Sequence, residues 1–199
     1  PERRAPTGLA QPLALLRRPT EQAHLVLAWP TFGQSDPDRY ALSVLNQVLG
    51  GGLSSRAFQE IRERRGLAYS VYSYTSLYQD AGLLLAYAGT GPERVAEVRR
   101  LLVAEVEALR SGGVTDRELE VAAGYLEGSL LLGLEDSGSR MARLGGQMTA
   151  RGHLTPVDEQ VARLRAVTKD DVARVIEAVL SAPPTVCAVG PVKEKSLVG

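Results

Sequence analysis

Apolar positions along the chain change their spacing several times, and those changes divide it into strands and helices. Leu13–Leu16 and Ala23–Trp29 read as strands. In the second, Leu25, Leu27 and Trp29 share one face and His24, Val26 and Ala28 the other; two largely apolar faces predict a central strand. A loop over 30–35 leads to Asp36-Pro37, an oxygen cap followed by proline in the first helical turn. Tyr40, Val44, Leu45, Val48 and Leu49 then recur at helical spacing until Gly50–Gly52 stops them. Ser54 or Ser55 is placed to cap a short helix reaching about Arg65, with Phe58 and Ile61 on its buried face. Gly66 supplies a left-handed stop. Ala68–Tyr78 and Leu83–Ala88 follow as the two arms of an antiparallel hairpin.

The second half reads as helices. Pro92 opens a long one carrying Val95, Val98, Leu101, Leu102, Val106 and Leu109, and Ser111-Gly-Gly closes it. Thr115-Asp-Arg-Glu118 is a capping box ahead of a stripe of Leu119, Ala122, Ala123 and Leu126. Residues 134–153 hold Asp136, Ser137, Gly138 and the pair Gly145-Gly146, which predicts a broken or kinked helix. Thr155-Pro-Val-Asp starts a short helix to about Arg165. Thr168-Lys-Asp-Asp starts the last, with Val172, Val175, Ile176, Val179 and Leu180 inward. Pro183-Pro184 ends the helices and Thr185–Val189 is a final strand. Strands, then amphipathic helices, then one strand predict an α+β two-layer sandwich. Its sheet is largely antiparallel, with helices packed on one face. Ala23–Trp29, Ala68–Tyr78, Leu83–Ala88 and Thr185–Val189 are expected in that sheet. Residues 1–11 read as a linker remnant, 12–192 as the domain and 193–199 as a tail.

Composition removes some classes of function. A hydrophobic fraction of 44% is that of a globular chain, and no apolar run has the length of a membrane span. Lysines and arginines number 23, as do aspartates and glutamates, so there is no electrostatic case for nucleic acid or an anionic membrane. The one cysteine, Cys187, excludes an internal disulfide and sits in the apolar run Val-Cys-Ala-Val. Pro1-Glu-Arg-Arg is no signal peptide, and the missing initiator Met suggests a processed or truncated chain; cytoplasm is the default expectation. Metal chemistry is not expected of this chain. His24 and His153 lack paired ligand spacing, and neither His-x-x-Glu-His nor His-Glu-x-x-His occurs.

The stretch 49–74 carries the candidate chemistry. At about 100° per residue, Arg62 falls about 40° from Phe58, on the border of the apolar stripe, while Arg56 and Arg64 point away. Strand alternation puts Tyr69 on one face with Val71, Ser73, Thr75 and Leu77, and Tyr72, Tyr74 and Tyr78 on the other. A helix-borne arginine and a strand-borne tyrosine can thus converge on one point. Arginine and tyrosine are common, so spacing alone leaves a packing role open, and Arg65 also lies near the border. Gly50-Gly51-Gly52 lacks the Gly-Lys-Ser/Thr ending of a nucleotide loop and follows no strand. A close turn between two helices explains it better.

The run Gly-Gly-x-Ser-Ser-Arg-x-Phe-x-x-Ile-Arg-Glu-x-x-Gly-Leu-Ala-Tyr resembles the signature of the carboxy-terminal half of insulinase (pitrilysin) type metallopeptidases, which include the mitochondrial processing peptidases and bacterial relatives. The likeness is close over roughly 30 residues, and the order of elements is compatible over about 10–192. Ala57 stands where a larger aliphatic residue is usual, a matter of packing. The resemblance implies the same two-layer fold. It implies no cofactor in this chain and zinc in a partner half, held by an inverted His-x-x-Glu-His motif. That amino-terminal half or subunit and an extended peptide substrate are the implied partners. By motif, Arg62 and Tyr69 become the catalytic residues contributed across the chamber. Gly50, Gly51, Gly52, Ser54 and Ser55 become candidate substrate-binding positions. The isolated chain is expected to be catalytically silent. The rival expectation is a non-catalytic scaffold or assembly subunit of the same fold.

Overall fold

The computed structural model describes residues 11–198. Five strands form one sheet: β1 (Leu13–Leu16), β2 (Ala23–Thr31), β3 (Ala68–Leu77), β4 (Gly82–Thr90) and β5 (Thr185–Val189). Their order is β1-β5-β2-β4-β3. Only the β1–β5 pair is parallel. β2 is central, as its two apolar faces require, and it runs on through Pro30 and Thr31, which the sequence reading assigned to a loop. Proline is tolerated there because β5 pairs with β2 only over His24–Ala28, leaving that flank of Pro30 free.

Among the described residues six α-helices follow from the apolar stripes: α1 (Arg39–Leu49), α2 (Val95–Gly112), α3 (Asp116–Gly133), α4 (Ser137–Arg151), α5 (Val157–Arg165) and α6 (Lys169–Leu180). They pack on one face of the sheet, so the two-layer α+β architecture holds. The core lies between the layers. Leu25, Leu27, Trp29, Leu84 and Ala88 from the sheet meet Leu42, Leu45, Leu102, Val172 and Val175 from the helices. The other sheet face stays partly open and carries His24, Val26, Tyr72, Tyr74 and Tyr87. Tyr72 and Tyr87 sit directly opposite each other with ring centroids 4.8 Å apart. His24 Nδ1 lies 2.7 Å from the Tyr87 hydroxyl.

Two expectations change. The break expected within 134–153 falls at 134–136, and α4 is unbroken through Gly145-Gly146. Asp136 restarts the chain by accepting from the Ser139 N–H at 2.6 Å, a cap strong enough to carry two poor helix formers behind it. Residues 193–198 do more than trail: a 3₁₀ turn over Glu194–Ser196 seats Leu197 in the core, 1% exposed. Of the expected linker remnant, residues 1–10 lie outside the described residues, and the Gln11 carbonyl accepts from Thr185 Oγ1.

Candidate substrate groove

Between the end of α1 and the outer edge of β3, the chain makes its glycine turn and a six-residue π-helix, Phe58–Glu63. The sequence reading placed an α-helix there, capped by Ser54 or Ser55. The structure corrects the cap. Ser55 is 2% exposed, its hydroxyl donates to the Gly52 carbonyl at 2.6 Å, and no serine side chain bonds the helix start. Gln59 Nε2 instead donates to the Leu53 carbonyl at 2.7 Å. Gly66, at φ +61°, ends the turn, with the N–H groups of Gly66 and Leu67 bonded to the carbonyls of Arg62 and Ile61.

Gly50 is required by close approach. A Cβ there would come within 2.5 Å of the Ser73 backbone nitrogen. That nitrogen donates to the Gly50 carbonyl at 2.9 Å, so Gly50 stands where a sixth strand would pair with β3. Ser73 Oγ adds a bond to the Asn46 carbonyl at 2.9 Å. The period of the strand turns the N–H and C=O of Val71 the same way as those of Ser73, toward the groove.

A second correction concerns Tyr69. The register shifts by one residue between Ala68, opposite Thr90, and Ser70, opposite Gly89: a β-bulge. Ala68, Val71 and Ser73 are therefore buried, while Tyr69, Tyr72 and Tyr74 are exposed. Tyr69 does not share the face of Val71 and Ser73; it projects outward, 75% exposed. The sequence trace of the bulge is Gly89 on the facing strand, a residue that often marks one.

The bulge and the π-helix bring Arg62 and Tyr69 together. The Arg62 guanidinium lies 5.0 Å from the Phe58 ring centroid and 5.6 Å from that of Tyr69. Aromatic faces hold a cation there without neutralising it. The neighbouring arginines differ. Arg56 is bound to Glu118, and Arg64 and Arg65 both pair with Glu60. Arg62 has no carboxylate partner among the described residues. Arg65, the alternative choice, is thereby engaged elsewhere.

Beside this pair lies a groove of ≈ 620 Å³. Gly50, Gly51, Gly52, Ser54 and Arg62 line it, and among the lining residues the sequence reading did not select as site residues are Gln47, Tyr72 and Tyr125. Ser55 does not line it. Tyr125 could have been flagged as an aromatic residue off the apolar stripe of α3. Gln47 leaves no such trace, because it lies in the buried last turn of α1. Among the described residues no group of three or more His, Cys, Asp or Glu could hold a metal ion. No helix there is long and apolar enough to cross a membrane.

The two-layer α+β fold, with no metal-ligand cluster among the described residues, is that of a peptidase M16 inactive domain. The chain belongs to the Peptidase M16 inactive-domain family, whose model matches residues 2–125. It is 47% identical over 181 residues to an uncharacterized zinc protease of Streptomyces coelicolor, covering 91% of this chain and 39% of that protein. An uncharacterized zinc protease of Bacillus subtilis is 41% identical over 156 residues, 78% of this chain and 38% of the relative. The chain thus spans about two fifths of the curated relatives it matches. Among solved structures, the peptidase M16 inactive domain from Pseudomonas fluorescens superposes with a TM-score of 0.77 at 25% identity, covering 91% of this chain and 44% of that one. A protease from Helicobacter pylori shares the fold at a TM-score of 0.79, with 22% identity and coverages of 89% and 43%.

Proposed function

We propose that this chain is the substrate-binding, transition-state-assisting half of a zinc endopeptidase. It acts with a zinc-bearing amino-terminal half or subunit, and the cytoplasm is its expected site. Among the described residues none form a metal site, so in this reading the partner half carries the hydrolytic chemistry. This half binds the peptide as an extended segment along the free edge of β3 near Val71. Hydrolysis of a peptide bond builds negative charge on the carbonyl oxygen, and donors aimed at that oxygen lower the barrier. Tyr69 offers an uncharged hydroxyl and Arg62 a charge-assisted donor. The observation that carries this reading is the Arg62 guanidinium stacked on Tyr69 and free of any carboxylate among the described residues.

The test is peptide cleavage by this chain mixed with a zinc-bearing half. Arg62→Ala and Tyr69→Phe should each lower turnover by roughly 10²-fold with little change in thermal stability. Unchanged turnover in both variants, or cleavage by this chain alone, overturns the reading. A scaffold or assembly role is the second reading, favoured by the uncovered aromatic face around Tyr72, Tyr74 and Tyr87. It predicts no cleavage by any such mixture.

A further inference from the structure

Gln47 has no part in the reading above, yet it is the polar residue most deeply set in the groove. It is 8% exposed. Its carboxamide has no hydrogen-bond partner among the described residues. Most of the residue is packed away, but its Oε1 and Nε2 are not sealed from solvent, so both remain open to a ligand in the groove. The polar groups nearby are already taken. Glu118 is occupied by Arg56 and Thr115, and the Ser55 hydroxyl by the Gly52 carbonyl. The Asn46 carbonyl accepts from the N–H groups of Gly50 and Gly51 and from Ser73 Oγ.

The glycine turn is shaped around this amide. A Cβ on Gly51 would come within 2.5 Å of Gln47 Oε1 and 2.7 Å of its Cα, and one on Gly52 within 2.6 Å of Nε2. The bare backbone at both positions therefore leaves the carboxamide its place, and Gln47 lines the groove that Arg62 also lines. α1 and the Ser73 contacts fix its backbone, so it is pre-positioned before any ligand arrives.

We propose that Gln47 is a specificity residue of the groove, whose carboxamide pairs with a main-chain amide of the bound peptide. A carboxamide presents one acceptor and a donor side by side, the complement of a peptide group. It would thus read backbone and not side chain, suiting substrates of varied sequence in extended form. This rests on the peptide-binding reading above.

The experiment is fluorescence anisotropy of this chain with a labelled, blocked, unstructured peptide of about a dozen residues, and with the same peptide N-methylated at each position in turn. In the wild type, N-methylation at one position should weaken binding about fivefold to tenfold, the size of one net hydrogen bond. Gln47→Met, which keeps the volume, should lose the same factor with the parent peptide and nothing further with that methylated peptide. Gln47→Leu, which removes both the acceptor and the amide donors, serves equally if the methionine variant fails to fold. Equal affinity of wild type and variant, or an undiminished methylation penalty in the variant, overturns the role of Gln47 while peptide binding stands. Failure of the wild type to bind any peptide of the set overturns the peptide-binding reading itself, and this inference with it.

Discussion

Arg56 ties the glycine-turn segment to α3, and its removal should be felt across the groove. Nε donates to Glu118 Oε1 at 2.6 Å, and Nη2 donates to Oε2 at 2.8 Å and to the Gly113 carbonyl at 2.9 Å. The two side chains are 18% and 27% exposed. Glu118 also accepts from the Thr115 N–H at 2.8 Å and its hydroxyl at 2.9 Å. The Arg56 bonds, with help from Thr115 and against the opposition of burial, hold the carboxyl at about 2 rather than 4.5. In a sealed site that would be worth about 3 kcal/mol. Water reaches this pair, and screening reduces the figure, so Arg56→Met should cost about 1–2 kcal/mol, or about 3–6 °C in Tm for a chain of this size. Because the folded carboxyl is lowered, its contribution is complete above about pH 4.5 and is lost as pH falls toward about 2. Urea unfolding of both proteins should show the full gap at pH 7 and less than half of it at pH 3. Arg56→Met/Glu118→Gln should be less damaged than Arg56→Met, since it leaves no partly buried charge behind. A gap below about 0.5 kcal/mol at neutral pH, or one that does not change with pH, refutes the assignment of this pair as the tether.

The glycines should divide sharply. Gly50→Ala, with its Cβ 2.5 Å from a backbone nitrogen of β3, should cost about 1–3 kcal/mol in chemical denaturation. Gly145→Ala and Gly146→Ala, with open space around each Cβ in mid-α4, should each stabilise by about 0.5–1 kcal/mol. Thr168→Ala removes the cap that bonds the Asp171 N–H at 3.2 Å and donates to its carboxylate at 2.6 Å. It should cost about 1 kcal/mol at pH 7 in the same assay. Asp171 is held at about 2, so that cost should fade as pH falls from about 4 toward 2.

Periodicity made most of this fold legible. The α2 and α6 stripes face the core residue for residue, and α1 does so except at Tyr40, which stays half-buried against Arg39, because a spacing of three and four has one way to bury itself against a sheet. The capping box at Thr115 was equally readable, being a pair of local reciprocal bonds; at Thr168 the sequence marked only the helix start, and the structure adds the reciprocal bonds with Asp171. What failed to show was anything decided by a neighbour distant in sequence. Pro30 belongs to a strand because β5 stops short of it. Ser55 turns inward because the Gly52 carbonyl is there to receive it. Gln47 reads as one more residue of an amphipathic helix until the turn beyond it folds back.

Tyr69 is the sharpest instance, since a strict two-residue period would carry it to the same side as Val71 and Ser73. There it would lie under the helical layer, away from the Arg62 guanidinium. One extra residue at the bulge reverses Ala68 and Tyr69 and leaves Val71 through Leu77 in register with β4. The strand can thus bury Ala68, Val71 and Ser73 and still present the Tyr69 ring to the Arg62 guanidinium. The π-helix does the corresponding work on the other side, where a widened turn over Phe58–Glu63 lets Arg62 stack on Phe58 and reach Tyr69. Two local irregularities, each unfavourable in isolation, together create the single uncommitted cation–phenol pair in this segment.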